Sequence, residues 1–430
     1  MTSRLRVLLV PDSIYWVTGT IAKSIAAANP GIDATIVSGP LLGDMFADAD
    51  VIADRFDLVH FICPYASRDW LPLLASKVPV VTSHHHVTSW DLIRHNVDGD
   101  AIVAGSQEWV NDLETRGADM SRVFRVPYGV DVELFKPGTA AQKNAMRDRL
   151  GLSDAAPVIG FFAKRASNDD DRKGTDIFIR AVTMLHTELS EMGVLIVGPG
   201  WQDLVSQFRD EGIKCAWLPF VEDSNDVPPL YHALDFYWVT ARVEGGPVPL
   251  LEAMSSEVCC LTTAVGLARE VVHDGVNAVV LPMNDAASFV AKTVELWRDD
   301  GQRQAMAHAG RETMMGEMRV EDMAQLVGPV YERAKENFIA RNPSAAARKR
   351  GEGLTRTERR KAAMLEALAW SENLVLYQNQ RMAAAKLIFK AWADNPGSIE
   401  PPRVFLRRFL PEPVTRGVVK AKRSIRGIGA

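Results

Sequence analysis

The chain has little cysteine, no long apolar run and no thiol spacing suited to zinc or redox work, and each shortage excludes a class of protein. Only four of its 430 residues are cysteine: Cys63, Cys215, Cys259 and Cys260. Three fall in strand-like segments, the adjacent pair does not readily bridge to itself, and no CxxC occurs. Buried free thiols in a reducing compartment are therefore expected. No apolar stretch approaches the ~20 residues that cross a bilayer. The start, MTSRLRVLLVP, is basic, but its short apolar run meets Pro11. A signal peptide needs more, so a mature cytoplasmic start is expected. What remains is ordinary globular composition, 47% hydrophobic and 24% charged, on a chain long enough for two domains and an extension.

Charge is uneven. The net value is −5, yet residues 342–430 hold 18 Lys and Arg against 7 Asp and Glu, a local +11 that leaves −16 on the rest. An acidic body with a basic tail leaves three readings for the tail: contact with anionic lipid, contact with a nucleic-acid backbone, or a packing and solubility appendage.

Short apolar runs punctuate the first third: RVLLVP, ATIVSG, LVHFIC, VPVVTS and AIVAGS. Stretches of about 20 residues separate them, enough for crossover helices. Near-continuous apolar strands belong to parallel sheets covered on both faces. The pattern restarts at Pro157 with VIGFFA, GVLIVGP, CAWLPF, DFYWVT, VCCLTTA and AVVLP. Two doubly wound units in series imply an α/β fold of two Rossmann-like domains. The linker is placed near residues 130–150, where PYGVDVELFKPG runs into a polar, charged stretch. The domains expected are 1–135, 136–335 and a basic, mostly helical extension over 336–430. In the extension, 357–394 reads as two helices stopped by Asn395-Pro396-Gly397.

The segment with most chemistry is VEGGPVPLLEAM, residues 243–254, which follows the strand DFYWVT and opens a helix. Pro247 and Pro249 sit near the helix start, where a missing N–H does no harm. Gly245 and Gly246 let backbone approach a ligand, and helix amides then face an anion. Glu244 precedes the helix and Glu252 lies one to two turns inside it. This arrangement resembles glycosyltransferase family four, retaining enzymes whose signature is Glu-x7-Glu followed by Ala-Met. The resemblance covers about residues 1–335 and implies the GT-B fold, two Rossmann-like domains facing a central cleft. By that resemblance Glu252 would hold the nucleotide ribose and Glu244 would sit near the donor sugar. The backbone of Gly246, Pro247, Val248 and Pro249 would line the sugar and distal phosphate.

The family also carries a Gly-Arg after the first strand of its second domain and a Lys-Gly further on, both neutralising the diphosphate. Lys173-Gly174 matches the second. At the first, this chain has Ala163-Lys164-Arg165, so Lys164 or Arg165 takes the place. Fixed cations beside a leaving diphosphate meet its electrostatic demand. Phe220 and Val221 match the loop that packs on the nucleobase, and Gly129-Val130-Asp131 matches the interdomain segment. Gly19 occupies the position of a Gly-rich phosphate-side loop. Of three consecutive histidines, His84, His85 and His86, His84 aligns with the one the family projects into the cleft. One departure is structural: Glu257 and Cys259 replace a Gly and a Pro after the Glu-Ala-Met.

The catalytic set expected by resemblance is thus His84, Lys173 and Glu244. No cofactor is required, and metal dependence is not expected. Asp98-Gly99-Asp100 reads as a turn and Asp169-Asp170-Asp171 as part of the phosphate loop. The reaction implied is retaining transfer of a hexose from a UDP- or GDP-sugar to a hydroxyl. The acceptor is either glycan- or lipid-linked, or a hydroxymethylated DNA base held by the extension, where Trp370, Tyr377 and Trp392 interleave with basic groups. A cytoplasmic protein, peripheral at a membrane surface if the tail rests on anionic lipid, follows from the same composition. A sugar-nucleotide epimerase or a non-catalytic nucleotide-sugar binder of the same fold is the alternative.

Overall fold

The apolar runs assemble into two six-stranded parallel sheets in a computed structural model that describes residues 4–86, 90–165, 171–219, 221, 224–344, 353–378 and 380–409. The first sheet contains β1 (Leu5–Val10), β2 (Ile32–Ile36), β3 (Leu58–Phe61), β4 (Val80–His84), β5 (Ala101–Ala104) and β6 (Val123–Arg125). Its order is β2-β1-β3-β4-β5-β6, every pair parallel. The second contains β7 (Val158–Phe162), β8 (Gly193–Val197), β9 (Lys214–Leu218), β10 (Phe236–Val239), β11 (Cys259–Thr263) and β12 (Val279–Leu281). Its order is β12-β11-β10-β7-β8-β9, again parallel. The two-sheet reading holds. The edge strand β6 escaped it because three residues with partly exposed side chains give no apolar run.

Period-two alternation splits each strand between two cores. On β1, Leu8 and Val10 join Phe46, Phe56 and Phe61, while Val7 and Leu9 join Ile25, Val103 and Tyr331. Both clusters draw on later parts of the chain. Ala324, Val327, Val330, Tyr331 and Ala334, from helices Val320–Gln325 and Val327–Arg341, complete one face of the first sheet. Leu354 and Ala362 complete the other. The chain therefore crosses between the sheets twice, and the crossings pair: Val130 N–H donates to Met318 O at 2.8 Å and Val320 N–H returns to Val130 O at 3.0 Å. A Cβ on Gly129 would lie 2.4 Å from Val320 Cα, so only glycine allows the two crossings to touch.

The extension is helical over Arg356–Gln378, Arg381–Asp394 and Glu400–Phe409. The first of these is bound to the first sheet's unit. Glu358 pairs with Arg55 at 2.7 Å, Arg359 with Asp33 at 3.2 Å, and buried Glu366 accepts from Ser38 N–H at 2.7 Å. No described helix is long and apolar enough to cross a membrane. All four cysteines are free and buried.

Candidate active site

Two loops of the second sheet build one cationic pocket edge. The loop after β7 ends at Lys173-Gly174, where Gly174 takes φ 62 and a Cβ would fall 2.0 Å from Thr240 O. Only glycine fits there. Asp171 caps helix Thr175–Glu188, accepting from Thr175 N–H and Asp176 N–H at 2.9 Å. Thr240, after β10, donates to Gly174 O at 2.8 Å, and Arg242 N–H donates to Arg172 O at 2.8 Å. This clamp brings Lys173 onto the carboxylate of Glu244, with Arg172 3.9 Å away. Glu244 is buried at 7% exposure, so its charge is balanced by cations rather than by water.

Helix Val248–Ser255 begins directly beyond the glycine pair. Pro247 and Pro249 offer no N–H, while Val248 N–H turns to Gly246 O at 2.8 Å and Leu250 N–H to Pro247 O at 2.7 Å. Among the described residues this leaves the Gly245 and Gly246 amides without a hydrogen bond. Both glycines press on the first sheet's unit: a Cβ would stand 2.3 Å from His85 O at Gly245 and 2.3 Å from the Tyr128 ring at Gly246. Trp109 reinforces the contact, its Nε1–H donating to Glu244 O at 2.9 Å. Glu252 lies deeper, accepting from Tyr231 Oη at 2.6 Å. Burial lifts its carboxyl to about 7, with the Tyr231 hydrogen bond opposing that rise.

The other expected positions divide. Lys164 is exposed and has no ion pair among the described residues, whereas Arg165 is held by Asp203 at 2.8 Å. Lys164 is thus the one free to meet an anion. Val221 is partly buried against the same core as Leu218, and Phe220 lies outside the described residues. Gly19 is buried inside helix Val17–Ala28, where a Cβ would be 2.5 Å from the Ile14 backbone. Its service is packing the β1 loop. Asp100 is likewise spent on structure, accepting from Val80 N–H at 2.9 Å and pairing with Arg341.

His84 requires a correction. Expected to project into the cleft, it is fully buried, its Nε2 3.0 Å from Asp112 and its ring edge-on to Trp90 and Trp109. His84 is the last residue of β4 and packs against Trp109 and Asp112, whereas His86 lies beyond the strand, where the chain has left the sheet. His85 Nε2 faces Ile62 O at 2.7 Å, so that nitrogen carries the proton and Nδ1 accepts from Tyr128. His86 is the half-buried member near the site. Burial lowers its pKa to about 3, and Arg172 and Lys173 add to the effect, so it is neutral at pH 7 beside the cations.

A cavity of ≈ 190 Å³ opens between the halves, with Val17, Ile21 and Tyr128 on one wall and Val248, Glu252 and Met323 on the other. A central cleft was expected from the resemblance; most of its lining was not, since that comes from distant parts of the chain. Of the residues singled out in the sequence, Gly129, Val130, Asp131, Val248 and Glu252 line it.

Comparison with known proteins agrees with this geometry. The family profile described as Glycosyl transferases group 1 matches residues 156–299. D-inositol 3-phosphate glycosyltransferase 1 of Catenulispora acidiphila is 31% identical over 338 residues, 70% of this chain and 78% of that enzyme. The D-inositol 3-phosphate glycosyltransferase of Xylanimonas cellulosilytica is 31% identical over 255 residues, and the match spans 56% of this chain and 59% of that enzyme's length. Among solved structures, Anabaena Alr3699/HepE, crystallised with UDP and glucose, superposes with a TM-score of 0.64 at 17% identity, over 76% of this chain and all of that one. At that identity the likeness speaks for the fold.

Proposed function

Since the chain belongs to the group 1 glycosyl transferases, we propose that it moves a hexose from a UDP- or GDP-sugar to an acceptor hydroxyl with retention of configuration. The observation that carries this reading is the Lys173–Glu244 ion pair, with Arg172 beside it, set directly before two glycine amides that have no hydrogen bond among the described residues. In the free protein Glu244 neutralises Lys173. An arriving diphosphate supplies a second, stronger anion for the same ammonium, and Glu244 is released toward the sugar hydroxyls.

Lys173, Arg172 and Lys164 then hold the diphosphate, the Gly245 and Gly246 amides meet its distal oxygens, and Glu252 takes the ribose. Transfer breaks the bond between the anomeric carbon and the leaving oxygen, and cations carry the charge that develops there. The acceptor oxygen bonds to the same face of the sugar, and its proton passes to the leaving phosphate. Neutral His86 hydrogen-bonds the sugar or acceptor without adding charge. No metal is needed in this scheme, because three side-chain cations already face the anion.

The test is incubation with a panel of UDP- and GDP-sugars, following nucleoside diphosphate release with and without a hydroxyl acceptor. Release of one diphosphate that rises with acceptor supports transfer. Release of free or epimerised sugar, indifferent to acceptor, would make the chain an epimerase. No release with any donor leaves a binder.

A further inference from the structure

Helix Arg381–Asp394 has two unlike faces. Ala384, Ile388 and Ala391, at helical spacing, are buried against the preceding helix. Met382 at 76% and Phe389 at 51% exposure, seven apart, lie on an outer flank, Phe389 with its ring 5.3 Å from that of Phe405; Trp392 at 42% borders the buried face, and Ile399 just beyond the helix is 59% exposed. Exposed Arg381, Lys386 and Lys390 lie around this apolar stripe. From residue 381 to the end, eleven Lys and Arg face three Asp and Glu.

We propose that this face docks on an anionic membrane surface. Large apolar side chains ringed by Lys and Arg fit the boundary between headgroups and acyl chains: aromatic and thioether groups enter, and cations stay with the phosphates. Basic side chains near an anionic bilayer add to the attraction, and the charge of residues 381–430 is complementary to it. Duplex nucleic acid is the poorer fit. Trp370, an aromatic that base stacking would need, is buried, stacked on Tyr15 at 5.6 Å and edge-on to Trp16 at 5.6 Å. Tyr377's side chain lies outside the described residues.

The same contacts say why the surface is useful. Trp370 ties the extension to the loop before Val17, and Val17 lines the cavity between the halves. Through Trp370 and Ala384 the docking helix and the loop at Tyr15 share one packed cluster, so docking would anchor the unit that carries the cleft loop, which suits an acceptor hydroxyl presented by a lipid. That use rests on the transfer reading; the docking itself does not.

The experiment is cosedimentation of the full chain with vesicles of phosphatidylcholine alone and with about one third phosphatidylglycerol. Wild type is expected on the anionic vesicles, and the triple variant Met382→Ser, Phe389→Ser, Trp392→Ser to bind about tenfold less. Lys390→Glu should weaken binding on anionic vesicles, and Val276→Ser, at an exposed site on the second half, should change nothing. Circular dichroism and binding of UDP or GDP, unaltered in the variants, show that they fold. The proposal is overturned if wild type ignores anionic vesicles, or if the triple variant binds them equally. It is also overturned if the face proves to be a dimer contact by sedimentation equilibrium, or if anisotropy shows that it retains duplex DNA instead of lipid. Loss of nucleotide binding in wild type would sink the transfer reading and leave the vesicle result standing.

Discussion

The two walls of the cleft are built on different terms. The second-half wall concentrates charge: Lys173, Arg172, Glu244 and Glu252 lie on two adjacent loops and one helix start. The first-half wall carries no such concentration: Val17, Ile21 and Tyr128 line its cavity with His60, Ser83 and His85, and burial lowers the two histidines to about 3 and about 4, which keeps them neutral. A diphosphate is a small anion with a fixed demand, so its wall needs the same groups at the same spacing. An acceptor has no such demand, so the facing wall is shaped by packing.

The largest break in that comparison should come from charge. Lys173→Ala is expected to lower kcat by about 10²–10³, whereas His84→Gln should leave kcat within about threefold, since His84 meets Asp112 rather than ligand. Steady-state kinetics on both variants checks this, and equal losses would erase the distinction. Next is the seam between the walls. Gly245→Ala puts a Cβ against His85 O, which should hold the halves apart and cost about 10–100-fold in kcat. The melting temperature should move little, because the clash lies between the two units rather than within either core.

Acidity gives a smaller, graded effect. The Glu252 carboxyl, raised to about 7 by burial, is largely protonated at pH 6. A ligand that needs the carboxylate must displace that proton, so affinity for the nucleoside diphosphate rises with pH up to about 7 and levels above it. The expected slope is at most about tenfold per pH unit below 7. Glu252→Gln should flatten this part of the profile, as titrations from pH 5.5 to 8.5 will read. Smallest is Glu257→Gly. Glu257 takes φ 60, where the family has glycine, so relief of the left-handed backbone should raise stability by about 1 kcal/mol in a urea melt. The exposed Glu257–His308 pair at 2.6 Å offsets little of this.

The same contrast governs what was legible in the sequence. The strands of both sheets were readable because parallel, doubly covered strands must be apolar throughout; only three-residue β6 lacked that mark. The site around Glu244 was readable because its parts sit within short local segments, 164–174 and 243–252. What failed was long-range. Residues 320–341 complete the first sheet's core, and nothing local says where a helix of that kind will pack. His84 and His86 are two apart and alternation would put them on one side; what separates them is that β4 stops at His84, an end that the apolar pattern does not mark. Trp370 read as a surface aromatic among basic residues, yet its burial depends on Tyr15 and Trp16, more than 350 residues earlier.

The central claim is that Lys173 and its neighbours hold the diphosphate of a sugar nucleotide. Calorimetric titration of UDP and of GDP into wild type and Lys173→Ala at pH 8 addresses it directly. One nucleotide should bind wild type with measurable heat and bind the variant at least about tenfold more weakly. Silence from wild type with both nucleotides, or equal affinity in the two proteins, would contradict it.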